Sequence, residues 1–227
     1  MSPIPLLTLR LLDIELPDEP EARKLLLIGA QDLLRTHGPA DDPLVDRELF
    51  HNQEARYSGI QLGSCQGAIE WTAIGQACVK TLGYWYQLFA QQQADALHNT
   101  VESRERYTPE FLPYLKRYQI RCLLISDELA RSLNPLRDRF ARFDRLEKYL
   151  YGNLQTFFQH IGFQHDKQTH FLKIQLLDLH PFDRALPVYH QQKKTAFSVT
   201  FECNFRLPQT LRLGQATAIG YGKLQHR

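Results

Sequence analysis

The sequence lacks several features that would assign it at once to a broad class of proteins. No apolar run approaches the about 18 residues that a membrane-spanning helix needs, and no apolar segment of the signal-peptide type opens the chain. The four cysteines are far apart and form no CxxC pair, which disfavours a zinc site. We therefore expect a cytoplasmic protein, neither secreted nor membrane-spanning, whose thiols stay reduced and mostly buried.

A strong overall charge is also missing, because 27 Lys and Arg residues nearly balance 25 Asp and Glu residues, for a net charge of +2. The charges are nevertheless distributed unevenly. The segment from Asp13 to Glu48 holds ten acidic and four basic residues, whereas the segment from Arg184 to Arg227 holds seven basic residues and one acid. The C-terminal end is thus predicted to attract a polyanion, although an asymmetry of this kind also arises by chance.

Hydrophobic periodicity predicts two successive units of similar order along the chain. In the first half, it predicts strands at 5–12, 57–62 and 67–74, a weak strand near 98–104, and helices at 19–36 and 74–89. In the second half, it predicts strands at 118–125, 169–180 and 195–207 and a helix at 143–161.

These patterns predict an α+β fold, with two tandem ferredoxin-like (RRM-like) βαββαβ domains, antiparallel sheets and a C-terminal glycine-rich loop. The loop stands where the second domain would need its second helix. The charged stretch 105–117 contains two prolines, and we place the domain boundary there. The prediction is an N-terminal ferredoxin-like domain at 1–112 and a C-terminal one at 113–227.

The last forty residues hold the clearest pattern. From Phe197 to Leu207 every second residue is apolar, and Pro208 then ends this predicted strand. The segment LRLGQATAIGYGKL follows, and its three glycines and two cations are Gly214, Gly220, Gly222, Arg212 and Lys223. Because glycine has no Cβ, such a loop lets backbone N–H groups approach a phosphate chain closely. The alternative is a tight hairpin that returns to a last short strand.

Three stretches of the sequence carry a resemblance to a known family. They are GQATAIGYGKL; ISDELARSLNPL with the predicted 143–161 helix that ends in HIGF; and LFHNQEARYSGIQ, in which a histidine precedes an Arg-Tyr-x-x-Ile-Gln strand. The chain resembles the RAMP superfamily of CRISPR-associated proteins and, within it, the endoribonucleases that cut CRISPR repeat RNA into guide RNAs. The resemblance implies cleavage without metal or cofactor, in which the 2′-hydroxyl attacks the adjacent phosphorus. The products would be a 2′,3′-cyclic phosphate and a 5′-hydroxyl.

The resemblance points to His51 as the acid or base of this reaction, because an imidazole with a pKa of about 6.5 titrates near the working pH. The local sequence around His51 is polar, and the alternative is a loop histidine without a role. Gln53 stands where the matching family stretch often has a second histidine. Arg56 and Tyr57 are expected to stabilise the phosphate or align the ribose, or else to form a strand-edge pair. His37 ranks second for proton transfer, because a histidine in the last helical turn is commonly a partner of the helix dipole.

The expected partner is CRISPR repeat RNA or guide RNA, bound mostly through its phosphates. The tail residues expected to contact phosphate, by side chain or amide, are Lys193, Lys194, Arg212, Gly214, Gly220, Gly222 and Lys223. Arg137, Arg139 and Arg142 are expected to grip a repeat hairpin or its flank, although interspersed acids are also typical of a solvated helix face. Other CRISPR effector subunits are further candidate partners, and we expect a monomer or a homodimer.

Other functions are compatible with parts of this pattern. A non-catalytic RAMP-fold subunit that binds guide RNA predicts the same loop and cations around an inert His51. An unrelated RRM-type module is disfavoured, because neither half holds the K/R-G-F/Y-G/A-F-V-x-F/Y string. A metallonuclease is disfavoured too, because Asp41, Asp42 and Asp46 lie in one loop without partner acids in a recognisable pattern elsewhere.

Overall fold

The structure is a computed structural model that describes residues 2–39, 42–50, 57–93, 99–164, 171–182, 188–189 and 192–226. The chain divides into two compact units. The N-terminal unit consists of Ser2–Thr108 together with Ala218–Gly220, and the C-terminal unit consists chiefly of Pro109–Thr217 and Tyr221–Arg227. A short segment of the glycine-rich loop therefore belongs to the N-terminal unit.

The N-terminal unit is a four-stranded antiparallel sheet with two helices. Its elements are β1 Ile4–Glu15, α1 Pro20–His37, a 3₁₀ turn Arg47–Leu49, β2 Ile60–Cys65, β3 Ala68–Ile74, α2 Gln76–Gln92 and β4 Thr100–Tyr107. The strands lie in the order β2-β3-β1-β4, and every pair is antiparallel. This is the ferredoxin-like βαββαβ arrangement.

The local sequence explains where several of these elements begin and end. Pro20 opens α1 at a position where its missing N–H costs nothing, and the Gly38 N–H caps the helix end on the Leu34 carbonyl at 2.8 Å. Gln66 and Gly67 join β2 to β3 with positive φ angles of 55° and 91°. Two central residues of positive φ are what a two-residue type I′ hairpin needs.

An aromatic cluster anchors α2 to the sheet of the N-terminal unit. The Trp71 ring of β3 and the Trp85 ring of α2 have centroids 4.8 Å apart. Phe50 meets Trp71 edge-on at 5.6 Å, and all three side chains are buried. Aromatic rings bury large apolar areas, so this cluster contributes strongly to the core.

The C-terminal unit repeats this order without the second helix. Its elements are β5 Phe111–Leu124, α3 Asp127–Leu133, α4 Arg139–His160, β6 Ile174–Pro181, β7 Val188–Tyr189, β8 Gln192–Lys193, β9 Ala196–Phe205 and β10 Leu224–His226. A 3₁₀ turn, Thr217–Ile219, precedes β10 and leads into the segment Ala218–Gly220 of the N-terminal unit. The large sheet has the order β10-β5-β9-β6 and is antiparallel throughout. It corresponds strand for strand to the β4-β1-β3-β2 order of the N-terminal unit, and the glycine-rich loop stands in the place of the second helix.

The core of the C-terminal unit lies between β9 and α4. On β9 the alternate residues Val199, Phe201, Cys203 and Phe205 are fully buried, while the residues between them are partly exposed. The Phe205 ring meets Phe158 of α4 with centroids 4.6 Å apart. The alternation in the sequence is therefore the alternation between the helix-covered face and the open face of the sheet.

The predicted α+β fold with two antiparallel ferredoxin-like sheets is confirmed, including the loop that replaces a helix. Periodicity does not predict α3, because this helix has seven residues of which Leu133 alone is buried. It predicts β4 only weakly, because seven of its eight residues are at least partly exposed. β5 begins at Phe111, whereas the predicted strand begins at residue 118. The first part of β5 was missed because its pairing with β9 is irregular between Phe111 and Lys116, which interrupts the alternation of apolar residues.

Candidate nucleic-acid interface

The start of α4 presents three of the predicted RNA-binding arginines together with an aromatic ring. We call this set the α4 basic surface; its members are Arg137, Arg139, Phe140 and Arg142. The helix begins here because the Asp138 carboxylate accepts the N–H groups of Phe140 at 3.1 Å and Ala141 at 3.2 Å. All four members are exposed, and Phe140 is 78% exposed. The Asp138 cap thus fixes the first turn of α4, from which charged and aromatic side chains project into solvent.

Two of these arginines are positioned by contacts within the C-terminal unit. The Arg139 guanidinium lies 4.9 Å from the centroid of the Phe143 ring, and its Nη2 lies 3.5 Å from Asp178 Oδ1. Arg142 Nε donates to the Leu136 carbonyl at 2.7 Å. Because a guanidinium has five N–H donors, most of the donors of both side chains stay available to a phosphate.

Two glycines of the tail are explained by the packing of the loop on its own unit. Gly222 has φ +75°, its N–H donates to the Cys122 carbonyl at 3.0 Å, and a Cβ would lie 1.8 Å from the Leu213 carbonyl oxygen. Gly214 has φ +99°, and its N–H donates to Asn153 Oδ1 at 2.9 Å. These two amides are therefore used inside the C-terminal unit and are not available to a phosphate. The chain then returns to β10, which pairs with β5.

The third glycine, Gly220, lies in the segment that belongs to the N-terminal unit. It has φ +105°, and a Cβ there would lie 3.0 Å from the Leu62 carbonyl oxygen. Beside it, Arg23 Nη1 donates to the Ile219 carbonyl at 3.3 Å, and Ile219 is buried. Residues 218–220 are thus docked onto α1 and β2.

The predicted cations of the tail differ in their accessibility. Lys193 is exposed and Lys223 is partly exposed. Arg212 is 1% exposed, and its backbone forms an isolated antiparallel bridge with Lys223. Lys194 Nζ lies 2.6 Å from Asp127 Oδ2, and its side chain is largely buried. Arg212 is therefore not placed to contact a phosphate at the surface, and Lys194 already has a carboxylate partner.

Two of the four predicted catalytic residues, His51 and Arg56, lie outside the described residues. His37 is the exposed last residue of α1 and lines a cavity of about 500 Å³ together with Trp85 and other mainly apolar residues of the N-terminal unit. Tyr57 is partly buried, and its hydroxyl oxygen is enclosed. His37 is thus the predicted proton-transfer residue for which the structure shows an accessible imidazole.

A second cavity of the N-terminal unit, of about 750 Å³, holds cations that the sequence reasoning does not single out. Its described wall includes Lys80 and Tyr84 of α2 with Arg104 and Arg106 of β4, and no acidic residue. Lys80 Nζ lies 2.6 Å from Asp42 Oδ2, and this bond holds the pKa of the Asp42 carboxyl below its usual range. Residues 104 and 106 are two positions apart and therefore lie on one face of β4. This spacing was the sequence signal that could have identified the pair of arginines.

Several other chemistries find no support in the described residues. Burial raises the pKa of the Cys78 and Cys203 thiols to about 12, so neither is a thiolate at neutral pH. Burial also raises the pKa of Tyr118 to about 12, and its hydroxyl donates to the Phe205 carbonyl. Within the described ranges, no three His, Cys, Asp or Glu side chains are grouped so that they could hold a metal ion. None of the helices seen there is both long and apolar enough to cross a membrane.

Two tandem ferredoxin-like units, the second of which has a glycine-rich loop for its last helix, define an α+β protein of duplicated ferredoxin-like fold. Residues 112–227, slightly more than half of the chain, match the family model of the Cas6b C-terminal domain, and the chain belongs to this family. No curated protein sequence matches the chain.

Solved structures share the fold over the whole chain. A crystal structure of the CRISPR RNA processing endoribonuclease Cas6b has a TM-score of 0.70 and 14% identity, covering 99% of this chain and 100% of that chain. A second crystal structure of Cas6b has a TM-score of 0.70 and 16% identity, with the same coverage of 99% and 100%. Csf5, a type IV Cas6 crRNA endonuclease, has a TM-score of 0.57 and 14% identity, covering 100% of both chains. At these identities the likeness concerns the fold.

Proposed function

We propose that this protein is a metal-independent endoribonuclease that cuts CRISPR repeat RNA to generate guide RNAs. The observation that carries the proposal is the match of residues 112–227 to the Cas6b C-terminal domain family. It is supported by the full-length likeness, at a TM-score of 0.70, to a structure of the CRISPR RNA processing endoribonuclease Cas6b.

The proposed reaction needs two proton transfers and one source of positive charge. A base accepts the proton of the ribose 2′-hydroxyl as its oxygen bonds to phosphorus, and an acid protonates the 5′-oxygen as its bond to phosphorus breaks. Cationic or N–H donors stabilise the charge of the phosphorane. We assign proton transfer to His51, with His37 as the next candidate, and we assign Arg56 and Tyr57 to the phosphate and the ribose.

RNA binding is proposed for those predicted cations of the C-terminal unit that are exposed or partly exposed. These are Arg137, Arg139, Arg142, Lys193 and Lys223. The α4 basic surface supports this assignment best, because its arginines are exposed and keep donors free for phosphate oxygens. We propose that the tail glycines shape the loop that carries Lys223, since the Gly214 and Gly222 amides are bonded internally.

The activity is tested by incubating the protein with labelled repeat RNA in EDTA. We expect one cut that leaves a 2′,3′-cyclic phosphate, and a 2′-deoxy substitution at the scissile nucleotide should abolish it. A requirement for Mg²⁺, or cutting of the 2′-deoxy substrate, would contradict the mechanism.

The assignment of His51 is tested with His51→Ala and His37→Ala, with His160→Gln as the matched histidine control. Loss of an acid or base typically slows such a reaction by about 10²–10⁴-fold. We therefore expect His51→Ala to lower the single-turnover rate by at least about 100-fold while RNA affinity stays nearly constant. If His51→Ala still cuts and His37→Ala does not, the role belongs to His37.

A non-catalytic subunit that holds guide RNA is the second candidate, and one sequence feature favours it. Gln53 stands where the family stretch often has a second histidine, which removes one proton-transfer group. This candidate predicts tight binding of repeat RNA by the wild-type protein without any cut in the assay above.

A further inference from the structure

We propose that Phe140 is a stacking platform for an unpaired nucleobase that flanks the RNA segment held by the α4 basic surface. This inference rests on the proposed function, since it adds a base contact to the proposed phosphate contacts. Phe140 is 78% exposed in the first turn of α4. Its backbone N–H is fixed by the Asp138 carboxylate at 3.1 Å, so the ring projects from an ordered helix start.

The next aromatic residue of α4, Phe143, has a contact partner that Phe140 does not have among the described residues. Phe143, one turn further along α4, lies under the Arg139 guanidinium at 4.9 Å. Among the described residues, no ring or cation–π contact covers Phe140. An apolar ring of this size is normally buried, and leaving it in water forgoes about 1.5–3 kcal/mol of hydrophobic stabilisation.

The surroundings of the ring define the chemistry of its occupant. Three exposed arginines, Arg137, Arg139 and Arg142, lie within three residues of Phe140 along the chain, and Asp138 is the one acid among them. We therefore expect an occupant that carries negative charge, and the ring itself favours a flat apolar face. A nucleotide combines a phosphate with a π-face, and aromatic side chains stack on bases of any identity. Bases inside a duplex are already stacked on each other, so the base that reaches Phe140 is unpaired.

The platform is tested by measuring the affinity of wild-type protein and variants for a non-cleavable 2′-deoxy repeat RNA with unpaired flanks. Stacking is worth about 1–3 kcal/mol per base, which corresponds to roughly 5- to 150-fold in affinity. We expect Phe140→Ala to weaken binding within this range and Phe140→Trp to restore it. Phe171→Ala is the matched control, because Phe171 is also exposed, at 65%, but lines a cavity with two acids and two lysines outside the α4 basic surface. The affinity of this variant should equal that of the wild type.

Salt dependence separates stacking from phosphate contact. Phe140→Ala should keep the slope of log Kd against log salt concentration, whereas Arg137→Ala should make the slope shallower by about 0.7–0.9.

A repeat hairpin without unpaired flanks should bind wild-type and Phe140→Ala protein equally. A 2-aminopurine placed in the flank should be quenched on binding to the wild type and not on binding to Phe140→Ala.

These measurements distinguish failure of the platform from failure of the proposed function. Equal affinities of Phe140→Ala and Phe171→Ala for the flanked RNA, or an equal loss on the flankless hairpin, would overturn the platform while wild-type cleavage stands. Wild-type protein that binds with a Phe140-dependent quench but does not cut would overturn the nuclease and support the platform. Absence of RNA binding by the wild type would overturn both.

Discussion

At the scale of single residues, His226 in the last strand of the C-terminal unit is expected to make the stability of the protein depend on pH. Its ring packs edge-on against Tyr118 with centroids 5.2 Å apart. Burial and the positive charge of Lys116 lower the pKa of His226, while a hydrogen bond with the Leu207 backbone partly opposes the shift. The folded state therefore favours the neutral imidazole.

We expect the free energy of unfolding to decrease as the pH falls below about 6.5, the pKa of an unperturbed histidine. Below that value the unfolded chain protonates His226, whereas the folded chain protonates it only at lower pH, so added protons favour unfolding. Urea unfolding between about pH 7.5 and 5.5 measures the effect. His226→Phe keeps an aromatic ring against Tyr118 and should flatten the pH dependence; a pH dependence identical to that of the wild type would argue against this role.

The sequence identifies cations but not their burial. Arg212 and Lys223 lie in the same glycine-rich segment and look alike as candidate phosphate ligands. In the structure the segment folds back on itself and bridges these two residues through their backbones, which leaves Arg212 buried and Lys223 partly exposed. Composition carries no information on that long-range packing. The positive charge of the tail was therefore predictable from the sequence, but which of its cations are accessible to solvent was not.

At the scale of elements, the strands and helices that were predicted well are those with one buried face. β9 buries Val199, Phe201, Cys203 and Phe205, and α4 buries Leu146, Leu150, Leu154 and Phe157, so the spacing of both elements is visible in the sequence. α3 is short and β4 is exposed along most of its length, and neither needs a periodic pattern. The order of the two sheets follows once the strong elements are recognised, because few topologies connect them without crossings.

The glycine-rich loop is an element whose shape depends on positive φ angles. Gly222→Ala should destabilise the protein by roughly 2 kcal/mol or more, since the new Cβ would meet the Leu213 carbonyl oxygen at 1.8 Å and φ is +75°. Gly152→Ala is the matched control in α4, where a Cβ meets nothing within 4 Å. It should stabilise the helix by about 0.5–1 kcal/mol. Denaturant unfolding compares the two, and equal stabilities would contradict the account of the loop.

At the scale of the whole molecule, a net charge of +2 conceals a division of charge along the chain. The acidic segment from Asp13 to Glu48 lies in the N-terminal unit, and the α4 basic surface lies in the C-terminal unit. An RNA strand responds to the local charge within about a Debye length of 8–10 Å, not to the total. Strong binding of a polyanion is therefore compatible with near-neutrality.

We expect RNA affinity to fall steeply with salt although the protein is almost neutral. The double variant Arg137→Ala/Arg142→Ala should lower the affinity and make the slope of log Kd against log salt concentration shallower by about 1.4–1.8. The matched control is Arg117→Ala/Arg206→Ala, which removes the same charge from guanidiniums that already pair with Glu202 and Glu110. Fluorescence anisotropy over a salt series measures both, and equal slopes for the two double variants would contradict a localised contact.

The docking of residues 218–220 onto α1 and β2 has a consequence for biosynthesis. A ribosome makes the strands and helices of the N-terminal unit first, but Ile219, which that unit buries, follows Thr108 by more than one hundred residues. The N-terminal unit therefore forms its contacts with Ile219 only after most of the C-terminal unit has been synthesised. A nascent chain that has not yet reached Ile219 would carry the N-terminal unit with the place of residues 218–220 unfilled beside Arg23 and Leu62.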